Sequence, residues 1–217
     1  NNGDVYSVWA DRKGHTLWIG TGEGGVNILD RRTQRFRYMV HEPGNANTVA
    51  GNGIKAFLED RDGNLWIGTY RAGISVYNPR TKSFRHFKHK VSDSGSLSDN
   101  SIWALHKSRD GSIWVGSDGG LDLYKGESGR FERQKINEGI RQVAWIGEER
   151  NGDLWLGLSS VVAVFRPGVG IVKTLREQGS CFYEDRKGRR WLATRNNGIL
   201  LLGKEREPLK YYNELSG

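Results

Sequence analysis

Short apolar runs recur along the whole chain, separated by glycine-bearing or polar positions. The most regular run places a tryptophan between two apolar residues, with glycine directly after them. Its first four copies are Leu17-Trp18-Ile19-Gly20, Leu65-Trp66-Ile67-Gly68, Ile113-Trp114-Val115-Gly116 and Leu154-Trp155-Leu156-Gly157, and a weaker fifth copy is Arg190-Trp191-Leu192-Ala193. The tryptophans are 48, 48, 41 and 36 residues apart, so the chain is predicted to consist of five structural repeats.

Each repeat contains four apolar runs, and the second repeat shows their order. The first run, Ile54 to Asp60, ends in an acidic residue and precedes an Asp62-Gly63 turn. The tryptophan run follows, and the runs Ile74 to Tyr77 and Phe84 to Lys88 complete the repeat. Asp-Gly between two apolar runs is a strong hairpin signal, because the turn needs a residue with positive φ.

The tryptophan run is apolar on both faces of the predicted strand, since Trp18 points to one face and Leu17 and Ile19 to the other. A strand with one solvated face would alternate apolar and polar residues instead. Four short strands in each repeat, packed on both sides, are typical of a propeller blade. We therefore predict an all-β fold, a β-propeller with about five four-stranded antiparallel blades. Their approximate bounds are 1–45, 46–95, 96–139, 140–177 and 178–217, within a single propeller segment 1–217.

A short lead-in related to Leu-Ser-x-Asn stands between the repeats. Thr48 to Asn52 precedes the second repeat, Ser96 to Asn100 precedes the third, and Glu214 to Gly217 look like the lead-in to a sixth. With the pattern acidic-x-x-Gly-x-Leu-Trp-Ile-Gly-Thr, these segments resemble the regulator-propeller repeats of Bacteroides-type hybrid two-component histidine kinases. The resemblance covers nearly the whole chain, and it is most specific in repeats one to three and weakest in repeat four.

The resemblance implies a function and a cellular setting. It implies a periplasmic sensor region of an inner-membrane protein, which binds a glycan-derived oligosaccharide and signals to a histidine kinase elsewhere in the parent chain. A homodimer is implied for the parent sensor, and contact with the membrane only through the parent chain. Propellers of this family have seven blades, so the five repeats are interpreted as part of a larger propeller. A closed five-bladed ring is the alternative, since closure leaves no end blade exposed.

Composition and charge narrow the classes of partner. The 217 residues contain no apolar run near the ~20 residues that a membrane-spanning helix needs. The single cysteine, Cys181, excludes a disulfide scaffold and a cysteine-based metal cluster. The excess of 33 basic over 25 acidic residues favours an acidic glycan, such as a sulfated or uronic-acid polymer, with a neutral glycan as the alternative. Nucleic acid is not expected as a partner, because nothing beyond net charge points to it.

The candidate binding residues lie on one predicted face of the blades. Two kinds of loop leave the same face of the blades according to chain order: the loops between strands two and three, and the loops between blades. Both kinds vary between repeats. Variable polar and aromatic residues on a uniform scaffold are typical of a binding surface. The residues that start strand one also vary, and Tyr6, Lys55, Trp103, Ala144 and Ser180 align there. The candidate ligand-binding residues are Tyr70, Arg71, Trp103, Arg141, Arg195 and Asn196, which offer stacking platforms and donors for a carboxylate or sulfate.

Apparent catalytic and cofactor signals have simpler interpretations. Gly20, Gly22 and Gly25 match a dinucleotide-binding pattern, but they follow from the repeat and precede no predicted helix. His86 and His89 are expected on opposite faces of a strand, which argues against a shared metal ion. The repeated acidic residues are expected to bind backbone amides of their turns; they are Asp11, Asp60, Glu149 and Asp185. No catalytic residue, metal or cofactor is predicted, and the segment is interpreted as non-enzymatic.

Two alternatives to a glycan sensor remain open at this point. One is a propeller-type polysaccharide lyase, for which His41, Tyr70 and Arg71 could supply a base and a charge-neutralising group. The other is a non-catalytic protein-interaction propeller, although the recurring Gly-His and Trp-Asp signatures of WD repeats are absent from the sequence. Turnover of a sugar separates the enzyme from the sensor.

Overall fold

The computed structural model describes residues 4–11, 14–136 and 142–213. These residues form twenty strands and no helix. The strands make five four-stranded antiparallel sheets, and the strands of each sheet pair in chain order. The predicted all-β architecture of four-stranded propeller blades is thus confirmed. The described ranges contain no helix long and apolar enough to cross a membrane. The chain divides into two compact units, Asn1–Arg133 and Gln134–Gly217.

The first unit contains three blades. Its strands are β1 (Val5–Ala10), β2 (Thr16–Thr21), β3 (Val26–Asp30), β4 (Arg35–Met39), β5 (Ile54–Glu59), β6 (Leu65–Thr69), β7 (Gly73–Asn78), β8 (Ser83–Phe87), β9 (Ile102–Lys107), β10 (Ile113–Ser117), β11 (Gly120–Lys125) and β12 (Arg130–Arg133). The first strands of neighbouring blades, β1, β5 and β9, contact one another, so they are the inner strands of this unit. Each tryptophan run forms the second strand of its blade, as predicted from the sequence.

The second unit contains two blades. Its strands are β13 (Val143–Glu148), β14 (Leu154–Leu158), β15 (Val162–Arg166), β16 (Gly170–Leu175), β17 (Gly179–Glu184), β18 (Arg190–Thr194), β19 (Ile199–Leu202) and β20 (Pro208–Tyr212). The inner strands β13 and β17 again contact each other. The predicted lead-in at Glu214 to Gly217 lies outside the described residues.

Apolar side chains from facing sheets fill the space between neighbouring blades. Between the second and third blades of the first unit, Trp66 is 1% exposed and packs among Phe87 and Tyr124. In the second unit, Trp155 is fully buried and stacks on Phe182 of the next blade. In the second blade, Trp66 packs toward the third blade, while Leu65 and Ile67 pack in a cluster with residues of the first blade. The two-sided apolar pattern of this strand therefore reflects burial against a neighbour on each side.

The first turn of a blade is organised by the polar residue that ends its inner strand. Asp60 Oδ1 accepts the backbone N–H of Asn64 at 2.8 Å, and Oδ2 accepts the indole N–H of Trp66 at 3.0 Å. Gly63 has φ of +80°, the positive value that the turn was predicted to need. The same indole bond runs from Trp114 to the hydroxyl of Ser108 (3.1 Å), from Trp155 to Glu149 (2.8 Å) and from Trp191 to Asp185 (3.2 Å).

The predicted role of the acidic residues in binding turn amides is confirmed for three of the four. The carboxylates of Asp11, Asp60 and Asp185 each accept backbone N–H groups of their own turn. Glu149 was predicted to do the same, and this expectation is wrong. Its longer side chain reaches Trp155 Nε1 and the guanidinium of Arg206 instead.

The lead-in segments connect neighbouring blades of the first unit. Asn100 accepts the backbone N–H of His89 at 2.8 Å through Oδ1, and its carbonyl accepts the N–H of Gly73 at 2.8 Å. Leu97 is 1% exposed, and its carbonyl contacts His89 Nδ1 at 2.6 Å. The equivalent residues one blade earlier are Asn52, His41, Gly25 and Val49, which make the same three hydrogen bonds, and Val49 is also buried. The motif thus has a structural role, since it joins the end of one blade to the start of the next.

The placement of one histidine differs from the prediction. His86 lies in β8, where its ring contacts Ser75 and the carbonyl of Ala46. His89 was expected in the same strand, but β8 ends at Phe87 because the backbone of His89 bonds to Asn100 of the lead-in. The two rings therefore belong to different elements.

Candidate functional site

Every inner strand carries a β-bulge at the same position. In β5, Ile54 pairs with Thr69 and Ala56 with Gly68, so Lys55 is left without a partner in the ladder. A bulge bends its strand and redirects the side chain of the extra residue. The bulge residues of the five blades are Tyr6, Lys55, Trp103, Ala144 and Ser180. These are the positions that align at the start of strand one in the sequence.

A second repeated bond brings one loop residue next to the bulge in four of the five described blades. The backbone N–H of Tyr70, four residues after Trp66, donates to the carbonyl of Gly53, two residues before Lys55, at 2.7 Å. The same bond joins Gly22 to Asp4 (3.1 Å), Asp118 to Ser101 (3.2 Å) and Arg195 to Gln178 (2.7 Å). The loop between strands two and three is therefore held beside the bulge of its own blade, and the two variable positions share one face.

In the first unit these positions form an aromatic cluster around a lysine. The ammonium of Lys55 lies 3.1 Å from the ring centroid of Tyr6, 5.3 Å from that of Trp103 and 5.7 Å from that of Tyr70. The rings of Tyr70 and Trp103 are 5.6 Å apart. Tyr6 and Tyr70 are 52% and 38% exposed. We call Lys55, Tyr6, Tyr70, Trp103 and Arg71 the Lys55 cluster.

Arg71 and Asp118 complete the surroundings of the cluster. The guanidinium carbon of Arg71 is 4.8 Å from the centroid of Tyr70, and Arg71 has φ of +64°, an unusual value for a residue other than glycine. Trp103 donates its indole N–H to Asp118 at 2.7 Å, which fixes the orientation of the ring. Among the described residues, neither Lys55 nor Arg71 forms an ion pair with a carboxylate. The cluster therefore presents aromatic faces and two unneutralised cations.

The structure brings three of the six predicted ligand residues together. Tyr70, Arg71 and Trp103 belong to the Lys55 cluster. Arg195 and Asn196 are exposed in a loop of the second unit, beside the small bulge residue Ser180. The predicted residue Arg141 lies outside the described residues. A role of these residues in ligand binding stays a prediction.

The sequence-based candidates omitted Tyr6 and Lys55, although both stood in the alignment of strand starts. The signal that could have identified them is the variation at one position in five otherwise uniform repeats. Its cause is the bulge, because a residue outside the ladder is not constrained by the pleat.

The described residues contain no group of three or more His, Cys, Asp or Glu side chains placed to hold a metal ion. His41, the proposed base of the lyase alternative, follows β4 and contacts the carbonyl of Val49 in the lead-in at 2.9 Å. Two cavities lie at the turns on the other ends of the strands. One of about 870 Å³ includes Trp18 and Tyr77, and one of about 610 Å³ includes Asp60 and Tyr124.

Comparison with known families and structures agrees with the repeat architecture. Residues 48–71 and 96–119 match the family described as two component regulator propeller. Each match starts in a lead-in and extends through the tryptophan strand. No curated protein sequence matches the chain significantly.

Solved structures share the fold at low sequence identity. The extracellular domain of BT3049 from B. thetaiotaomicron, assigned as a hybrid two component system, superposes with a TM-score of 0.82 at 22% identity, over 97% of this chain and 28% of that one. The extracellular domain of BT4673 from the same organism, assigned as a one component system, gives 0.67 at 20% identity, over 87% and 26%. PorZ of Porphyromonas gingivalis, a surface component of the type-IX secretion system, gives 0.66 at 18% identity, over 92% and 32%.

This chain thus spans less than a third of the length of each of these structures. The superpositions establish a shared fold. The family match confirms the sequence resemblance, and this chain of β-propeller blades carries two-component regulator propeller repeats at residues 48–71 and 96–119.

Proposed function

We propose that this chain is part of the extracytoplasmic sensor region of a hybrid two-component system and binds a glycan-derived oligosaccharide at the Lys55 cluster. The observation that carries the proposal is the convergence of Tyr6, Tyr70 and Trp103 on the variable face of three consecutive blades. The regulator-propeller match and the extracellular domains among the similar structures support the sensor assignment.

The chemistry of the cluster suits a sugar ligand. Tyrosine and tryptophan rings offer flat apolar faces for the C–H groups of a pyranose, while their O–H and N–H groups can bond to hydroxyls. The bond of its indole to Asp118 holds the Trp103 ring, and the bond to Gly53 holds the backbone of Tyr70. These contacts reduce the conformational freedom that is lost when the ligand binds.

The proposal includes signalling by the parent chain. A periplasmic propeller of a dimeric inner-membrane sensor transmits a signal when the ligand binds one arrangement of the sensor more tightly than the other. The histidine kinase would then reside elsewhere in the parent chain, and this segment itself would be non-catalytic.

A binding experiment tests the proposal directly. The chain and its variants Tyr70→Ala and Trp103→Ala are titrated with a panel of neutral and acidic oligosaccharides by calorimetry. We expect each variant to bind at least about tenfold more weakly, since a lost stacking contact of about 1.4 kcal/mol has that effect. Tyr183→Ala is the matched control, because Tyr183 is 62% exposed on β17 outside the cluster.

Two results would contradict the proposal. One is unchanged affinity in both cluster variants. The other is the absence of binding across the panel by folded wild-type chain. The lyase alternative is tested in the same samples: unsaturated sugar products formed by trace amounts of protein would identify an enzyme.

A further inference from the structure

We infer that the oligosaccharide is anionic and that the ammonium of Lys55 receives its carboxylate or sulfate group. This inference rests on the proposed function and names the class of sugar that the Lys55 cluster takes. It is carried by the position of an unneutralised cation inside an aromatic cluster on the variable face.

The placement of Lys55 is unusual for a surface lysine. Its ammonium touches one aromatic ring and lies within 6 Å of two more, and the side chain is only partly exposed. Contact with ring faces stabilises a cation but leaves its charge uncompensated. Within the described ranges Lys55 has no carboxylate partner, so an anion from outside the chain can complete its coordination.

Several basic side chains elsewhere in the chain have such partners. The ion pairs that neutralise them include Arg130 with Asp93 (2.6 Å), Lys125 with Glu132 (2.9 Å), Arg166 with Asp153 (2.8 Å), Arg189 with Asp185 (2.6 Å) and Arg206 with Glu149 (2.9 Å). Lys55 and Arg71 instead lie against aromatic rings without such a partner among the described residues.

Arg71 supplies a second donor for the same anion. Arg71 follows Tyr70 in the chain, is exposed, and stacks its guanidinium on the Tyr70 ring. Its backbone has φ of +64°, in the left-handed region. A guanidinium binds the two oxygens of a carboxylate or sulfate through parallel hydrogen bonds. A left-handed conformation costs a non-glycine residue about 1 kcal/mol, and such local strain is concentrated at functional sites.

The carboxylates around the cluster fit this assignment. Asp118 accepts the indole N–H of Trp103, and its role is to orient that ring. Glu23 is exposed in the loop between β2 and β3 of the first blade. We expect an anionic substituent to bind beside Lys55 and Arg71, with its sugar ring on Tyr70 or Trp103.

The test uses sugars that differ in charge alone. The full chain is titrated with oligogalacturonates, with the same oligomers fully methyl-esterified, and with chondroitin sulfate oligosaccharides. Oligogalacturonates report on carboxylates, and chondroitin sulfate binding in excess of its desulfated form reports on sulfates. We expect one anionic sugar to bind at least about tenfold more tightly than its neutral or desulfated match. Its affinity should also fall as salt is added.

The variant Lys55→Met keeps the length of the side chain and removes the charge. It should lose about tenfold in affinity for the anionic sugar and bind the ester as wild type does, while Lys55→Arg restores anion binding. Lys173→Met removes the same charge from an exposed position of β16 and controls for net charge.

The outcomes distinguish a failure of the anionic-sugar inference from a failure of the proposed function. If the ester binds as tightly as the acid, or Lys55→Met binds every sugar like wild type, the inference is wrong and the proposed function stands. If folded wild-type chain binds none of the sugars, including a wider neutral panel, the proposed function itself fails.

Discussion

At the scale of single residues, the same hydrogen bond recurs in four blades between a polar residue and the tryptophan six positions later. Asp60, Ser108, Glu149 and Asp185 differ in size and charge, and each accepts the indole N–H. A buried N–H without an acceptor costs about 1–3 kcal/mol, which explains why the position stays polar. Asp60 and Asp185 do more than the other two, because each also accepts two backbone N–H groups of its turn.

Replacement of Asp60 should therefore destabilise the chain. Asp60→Ala leaves the indole N–H of Trp66 and the turn amides without their acceptor, and we expect a loss of about 1–3 kcal/mol in the free energy of unfolding. Chemical denaturation measures it. Asp62→Ala, at an exposed position of the same turn, should change the stability by less than about 0.5 kcal/mol. Equal effects of the two variants would refute the role of the carboxylate.

At the scale of elements, each lead-in joins two blades through the side chain of one asparagine. Asn100 should be replaceable by aspartate, which keeps the oxygen that accepts the N–H of His89. Asn100→Ala removes that acceptor, and the expected cost is about 1–2 kcal/mol, since a partly buried amide N–H loses its bond. Comparison of the two variants by denaturation tests the bond. A loss in Asn100→Asp as large as that in Asn100→Ala would show that the side-chain amide group, and not this oxygen, is needed.

The blades of the second unit are joined by charges as well. Arg206, in the last turn of the fifth blade, bonds to Glu149 at 2.9 Å and also to Asp153, both buried in the fourth. The bidentate bond from Arg166 lowers the pKa of Asp153, and the bond from Arg206 lowers it further. Burial raises this pKa, but the two bonds outweigh burial, and the pKa is about 2. Burial raises the pKa of Glu149, but its bonds to Arg206 and Trp155 outweigh burial, and its pKa lies below the usual value.

These shifts predict a loss of stability in acid. The folded pKa of Asp153 lies below its unfolded value of 3.8, so its contribution is complete above about pH 4 and disappears as pH falls toward 2. The shift corresponds to about 2 kcal/mol. Denaturation of wild type and Asp153→Asn over this range should show a shallower pH dependence in the variant. Parallel curves would contradict the assignment.

At the scale of the whole molecule, the repeats could be predicted from the sequence because tryptophan, glycine and acidic residues recur at fixed offsets. Those offsets yield the four strands of every blade and the position of the first turn. The Lys55 cluster could be predicted only in part. Tyr70 and Trp103 were recognised as variable aromatic residues, but the proximity of Lys55 to Tyr6 depends on packing between blades, which no local pattern encodes.

The bulge itself is also hidden in the sequence. A strand pattern has a period of two, and one extra residue looks like an ordinary change of face until the pairing partner is known. The prediction for Glu149 was wrong for a related reason, because the arginine that it binds lies 57 residues later in the chain. Contacts between distant segments, rather than the strands themselves, limited the prediction of the site.

The repeated bulge has a consequence for how such propellers change over time. The equivalent bulge position of the five blades holds side chains that range from small to large: Tyr6, Lys55, Trp103, Ala144 and Ser180. A residue outside the ladder can be exchanged with a small effect on folding, within about 0.5 kcal/mol for exposed positions. Each blade therefore contributes one bulge position whose side chain can be exchanged and can contact a ligand. Duplication and shuffling of blades can generate new ligand preferences while the inherited scaffold continues to fold.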